Sequence, residues 1–180
     1  MGNLNSTYQR RKNTTCPHAP PAHGARAQER ITTADLDRLS DIARTDRDEF
    51  FKRHPEYARY RSRVACVALC QGAALHFIDG RTGVNDLDVW TFYYELPSIR
   101  FPYRRHARRD FGPSHLTNWS RRVDLLASTL PAFPGTDPAK MLRDYLTSRP
   151  TRSAFCLAKK AVVLIDPPKR RGEVVWPARG

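Results

Sequence analysis

A small mixed α/β fold of the α+β kind, one mixed β-sheet flanked by helices, is the class this sequence predicts. Three observations carry it. Apolar residues recur at helical spacing before residue 55 and again after residue 137. Short runs rich in Val, Leu, Cys, Trp, Phe and Tyr at 64–70 and 84–96 have the length and composition of strands. The two kinds of segment are interspersed along a chain of 180 residues, enough for one ordinary domain and a tail.

Residues 1–30 are polar and basic, and "TCPHAPPAHGARAQER" has no periodicity, so a disordered basic leader is expected there and a single domain over 31–180. Order begins at "TTADLDRLSDIARTDRDEFFKRH". Thr32 or Thr33 can cap a helix whose stripe is Leu36, Leu39, Ile42 and Ala43. Pro55 is placed to start a second helical segment, with Tyr57 and Tyr60 on one face. "VACVALC" (64–70) is a short continuous apolar run, expected as a buried strand. Gly72 heads a turn with a helical stretch inside it, closed by Gly80 and Gly83. "VNDLDVWTFYYEL" (84–96) is the longest strand candidate. The basic stretch from 97 to 119 reads as an irregular loop, and 120–129 as another strand. Asp137 and Pro138 suit the N-cap and first position of a helix over 137–149. Helix is expected to continue through "RSAFCLAKKAVVLID", and "GEVVWP" closes the chain as a short strand.

Hydrophobic residues make up 40% and charged residues 27%, the balance of a soluble globular protein, and no apolar run reaches membrane-spanning length. A membrane is therefore not expected as a partner. The net charge of +13 points to a polyanion, a nucleotide or nucleic acid; a uniformly basic surface explains the same number, because the 31 Lys and Arg are spread along the chain. The four cysteines form no C-x-x-C pair and have no histidine at zinc-finger spacing. Buried free thiols in a reducing cytoplasm fit them best. His76 and His115 lack ligand-like spacing and read as structural.

The stretch "GVNDLDVWTFY" poses a chemical problem. In a strand, Asp86 and Asp88 point to the same face, roughly 6–7 Å apart. Two like charges in a half-buried sheet are costly without a neutralising partner. Asp124 repeats the setting in "RVDLL". Three carboxylates on neighbouring strands form an oxygen-only donor set, suited to a hard divalent cation such as Mg²⁺. Taken singly, each has a plainer reading: Asp86 and Asp88 as solvent-facing partners of Arg81 or Arg100, and Asp124 as a partner of Arg121 or Arg122.

"LCQGAALHFIDGRTGVNDLDVW" resembles the signature of the polymerase-beta-type nucleotidyltransferase superfamily. That signature is an apolar strand, a Gly followed by Gly or Ser, about a dozen residues, and an acid pair in apolar surroundings. Here Gly72-Ala73 is followed by the twelve residues Ala74 to Asn85 and then Asp86-Leu87-Asp88-Val89, and Val123-Asp124-Leu125 has the setting of the third acid. The likeness covers roughly residues 64–128, and Ala73 departs from it by lacking a hydroxyl. The resemblance implies a small stand-alone enzyme that moves a nucleoside monophosphate from an NTP to a hydroxyl with two Mg²⁺ ions. Asp86 and Asp88 would ligate metal, and Asp124 would both ligate metal and act as general base. Gly72 and Ala73 would approach the phosphates through their backbone.

Outside that stretch, "RRHARRD" (104–110) reads as a solvated charge run or as a clamp for triphosphate or RNA through Arg104, Arg105, Arg108 and Arg109. Lys159 and Lys160 are candidates to reach a phosphate, Lys159 being preferred. The acceptor is open: a small molecule, a protein or an RNA end. Two rivals are a catalytically silent module of the same fold that binds RNA or a protein through the basic loop, and a metal-dependent nuclease. The nuclease predicts a lysine close to the acids, and none lies between Asp86 and Asp124.

Overall fold

The computed structural model describes residues 29–102, 106–112 and 122–177. Residues 1–28 of the expected leader, Arg104, Arg105 and His115 lie outside the described residues. The fold is mixed α/β: a six-stranded mixed sheet with helices on both faces.

The first helix, α1 (Thr33–Arg53), starts at a capping box. The Thr32 side chain accepts from the Asp35 N–H, and the Asp35 carboxylate accepts from the Thr32 N–H at 2.7 Å. A 3₁₀ segment over Pro55–Arg63 follows, tighter than the α-helix expected from Pro55. Its Tyr60 is fully buried and donates its hydroxyl to the Ile99 carbonyl at 2.6 Å. Strand β1 (Val64–Cys70) leads without a loop into α2 (Gln71–Asp79), so the expected glycine turn is a complete short helix, ended by Gly80 in the left-handed region. Strand β2 (Leu87–Tyr94) begins one residue after Asp86.

Four further strands and two helices complete the sheet and its cover. Strand β3 (His106–Asp110) falls inside the stretch expected as an irregular loop. Its alternating exposed and half-buried residues belong to an edge strand, where charge on one face blunts the open edge. Strand β4 (Arg122–Leu130) carries Asp124, and α3 (Pro138–Ser148) is capped by Asp137 as expected. The short helix α4 (Arg152–Leu157) is followed by β5 (Ala161–Asp166), not by the continued helix expected there, and β6 (Val174–Trp176) is the final short strand. "AVVLI" is buried on both faces, so its period-2 signal vanishes, and its β-branched content marks it as a central strand.

The strand order is β3-β4-β2-β1-β5-β6. Only β2 and β4 run parallel; the other neighbours are antiparallel. Alternation divides the core. Val67, Leu69, Val89, Leu125 and Val163 pack with Leu36, Leu39 and Ala43 of α1 and Ala73 and Ala74 of α2. Ala68, Trp90, Phe92 and Leu164 pack on the other face with Leu142 and Leu146 of α3 and Leu157 of α4. A third cluster, centred on Tyr60, Tyr93 and Phe101, joins the 3₁₀ segment to the sheet. Among the described residues, no helix is long and apolar enough to cross a membrane.

Candidate active site

Parallel pairing of β2 with β4 places Asp88 directly opposite Asp124 in register. Residues paired in this way share a face, and Asp86, two positions before Asp88, shares it too. This is the face that Trp90 and Phe92 bury under α3 and α4 farther along β2. On the other side of β2, Cys70 is the register partner of Asp88. The end of β1, the start of α2 and the starts of β2 and β4 therefore meet at one end of the sheet.

Asp124 is buried and its charge is met by nitrogen donors. Arg122 grips it with both arms of the guanidinium: Nε donates to Oδ1 at 2.8 Å and Nη2 to Oδ2. His106 Nε2 lies 3.4 Å and Arg108 Nε 3.7 Å from Oδ1. The Arg122 fork first, and then His106, hold the Asp124 carboxyl below the usual carboxylate range. Arg122 Nη2 also stands 3.7 Å from Asp86 Oδ2, so one guanidinium spans two of the three acids. Asp88 differs. Burial, then the charges of Asp86 and Asp124, push its carboxyl up from 3.8 to about 7, against the weaker pull of Lys160 and Arg122. It is the acid of the three whose charge is least compensated.

The start of α2 adjoins these acids. Gln71 has φ +61°, an unfavourable backbone for a residue with a side chain, and its Nε2 donates to the Cys156 carbonyl of α4 at 3.0 Å. Ala161, at the head of β5, bridges to Gln71. Lys160 is thereby set beside the α2 start: a methyl group built on Gly72 would lie 3.8 Å from Lys160 Nζ and 3.5 Å from the Gly83 carbonyl oxygen. The side chain of Ala73 is buried in the core, so the contribution of this position to the site is its backbone.

Several expectations need correction. Lys159, preferred over Lys160, lies over the Phe155 ring at 4.8 Å, and Lys160 is the lysine beside Asp88. Arg109, expected in a phosphate clamp, is on the opposite face, bound to the buried Asp46 at 2.9 Å and to Glu49. Arg108 faces the acids. The expected loop clamp is thus a strand whose alternate residues serve different faces. His76 is structural as expected: it is fully buried, with its ring nitrogens 2.6 Å and 2.9 Å from the Thr82 and Glu29 carbonyl oxygens. The plainer reading of Asp124 as a partner of Arg122 holds. The sequence left His106 and Lys160 without assigned roles at the acids. Reading 161–166 as a strand would have marked Lys160, because the residue ahead of a central strand lies at the sheet's end.

The donor set suits a hard cation at Asp86 and Asp88: carboxylate oxygens only, with one half-buried acid short of positive charge. Asp124 can join only when Arg122 releases it. In the arrangement described, no group of three or more His, Cys, Asp or Glu among the described residues is set to hold a metal ion. Arg108, Arg122 and Lys160 balance the three aspartates when all are ionised, so a metal–triphosphate, whose own charges largely cancel, would enter without upsetting that balance. No protein-family model matches the chain, and no curated protein matches it.

Proposed function

We propose that the chain is a nucleotidyltransferase that moves a nucleoside monophosphate from an NTP to a hydroxyl acceptor, as the resemblance of residues 64–128 suggests. The observation that carries the reading is the in-register pairing of Asp88 with Asp124 on parallel strands, beside Asp86 and the start of α2. Two Mg²⁺ ions bound there would neutralise the triphosphate and stabilise the attacking and departing oxygens. Asp86 and Asp88 would hold the metal ions, and through them the triphosphate, supplying carboxylate oxygens only. Lys160 Nζ and the backbone N–H groups at Gly72 and Ala73 meet its outer phosphates. Asp124, released from Arg122, accepts the proton of the acceptor hydroxyl. The acceptor oxygen bonds to the α-phosphorus as the bond from that phosphorus to the β-bridging oxygen breaks, and pyrophosphate leaves with the electron pair. A cytoplasmic setting accords with the free thiols of Cys66, Cys70 and Cys156.

One observation favours a second reading, a catalytically silent module of the same fold. The Arg122 fork already satisfies Asp124, and position 73 supplies no hydroxyl. Calorimetric titration with an NTP separates the two. The enzyme reading expects binding that needs Mg²⁺, weakens about tenfold or more in Lys160→Ala through loss of a charged phosphate contact, and disappears in Asp86→Ala. NTP binding that ignores both Mg²⁺ and Asp86 supports the silent module. Failure of every NTP to bind rejects the nucleotidyltransferase reading.

A further inference from the structure

Between Asp144 and Asp166 the chain carries no acidic residue and four basic ones: Arg149, Arg152, Lys159 and Lys160. All four are exposed, and two of them, Arg149 and Lys159, flank Phe155, a large apolar side chain left 47% exposed on α4. The Lys159 ammonium lies 4.8 Å and the Arg149 guanidinium 5.9 Å from the centre of its ring. At the far end of this surface, Lys160 stands beside Gly72 and acts on the charge of Asp88. The patch therefore runs up to the candidate active site. An aromatic face flanked by two cations, with further cations and no acid in its own segment, has the chemistry of a single-strand platform: the ring stacks a base while the cations follow the phosphates.

From this charge pattern we infer that the α4 surface binds single-stranded RNA and that the acceptor is the 3′-hydroxyl of such a strand. The inference rests on the nucleotidyltransferase reading for the acceptor's role, but not for the binding. RNA is the strand committed to, because its ends present unpaired, unstacked bases, whereas DNA ends are ordinarily paired. The cations over Phe155 do not block the ring. An exposed cation–π contact is worth about two- to fivefold in an equilibrium constant, and a stacked base about five- to 150-fold. A base therefore displaces Lys159 from the ring, and the ammonium turns to the neighbouring phosphate.

The test is fluorescence anisotropy of a labelled single-stranded RNA oligonucleotide with the full chain, without NTP or added metal, at several salt concentrations. Phe155→Ala should weaken binding about five- to 150-fold and leave the salt dependence unchanged. The double variant Arg152→Ala/Lys159→Ala should flatten the slope of log affinity against log salt by about 1.4, nearly 0.7 for each lost phosphate contact. Asp88→Asn should bind RNA at least as well as wild type. All four positions are exposed or half-buried, and circular dichroism checks that each variant is folded. RNA affinity indifferent to Phe155 and to both cations overturns the inference. Equal affinity for single-stranded DNA overturns the commitment to RNA. If RNA binds through this patch but no nucleotide is ever transferred, the enzyme reading fails and the binding surface stands. Transfer to a small molecule by a chain that binds no RNA has the opposite meaning.

Discussion

Asp88→Asn is expected to raise the melting temperature of the metal-free protein by about 5–10 °C at about pH 8, and to make no difference near about pH 4. The Asp88 carboxyl titrates at about 7 in the folded chain, against 3.8 for an ordinary aspartate. Below both values it is protonated in either state and costs nothing. Between them the unfolded chain gives up its proton and the folded chain keeps it, so stability falls as pH rises through this window. Above about 7 both forms are ionised and the full penalty remains. At about 1.4 kcal/mol for each pH unit the ceiling is roughly 4 kcal/mol, and water at the half-open site trims it to about 2–3 kcal/mol. Asparagine carries no charge and escapes the penalty. A divalent cation relieves the same penalty, so Mg²⁺ at about 100 times its dissociation constant should stabilise wild type by about 2.7 kcal/mol at high pH and the variant far less. Denaturant melts at a series of pH values, with and without Mg²⁺, check both halves. Equal stability at every pH would mean that Lys160 and Arg122 already neutralise Asp88.

Arg122→Met is expected to tighten Mg²⁺ or Mn²⁺ binding about ten- to 100-fold, the weight of a two-armed charged hydrogen bond that a metal must otherwise break. In the structure this fork engages both oxygens of Asp124 and reaches towards Asp86. Methionine keeps the apolar bulk and removes the competitor, leaving three carboxylates with less compensation. The metal-free variant should therefore melt lower than wild type, and saturating metal should restore much of the loss. Metal titration followed by calorimetry and by thermal melting reads both effects. Metal affinity unchanged by the substitution would show that Asp124 takes no part in metal binding and would favour the silent module.

Much of this architecture was legible in the residues, and the exceptions have physical causes. Helices α1 and α3 announce themselves by capping residues and by stripes of period near 3.6, and both stand where expected. Strands β1 and β2 were marked by apolar, β-branched and aromatic runs bounded by turns. Strand β5 was missed because a central strand buried on both faces has no alternation to detect, and it follows a helix without a glycine or proline between them. Strand β3 was missed because edge strands tolerate charge, and "HARRD" resembles a solvated loop. The same two errors hid the cations of the site. A loop has no faces, so Arg108 and Arg109 looked equivalent; in a strand they point oppositely, one towards Asp124 and one to the buried Asp46. Lys160 lost its claim to Lys159 while both sat in an imagined helix. The pairing of Asp88 with Asp124 was accessible because each acid interrupts an apolar strand. The grip of Arg122 on Asp124 stood among the plainer readings, since two residues apart on one strand is one face.

The most direct test of nucleotidyl transfer is to incubate the chain with Mg²⁺ and an NTP labelled either at the α- or at the γ-phosphate, together with single-stranded RNA bearing a free 3′-hydroxyl or with a cell extract as a wider source of acceptors. The account predicts label in the acceptor from the α-position only, release of the γ-label as pyrophosphate, and a loss of about 10²–10⁴-fold in Asp124→Asn, the range for removing a general base. Transfer of γ-label, or α-transfer that survives in Asp86→Ala and Asp124→Asn alike, would contradict it.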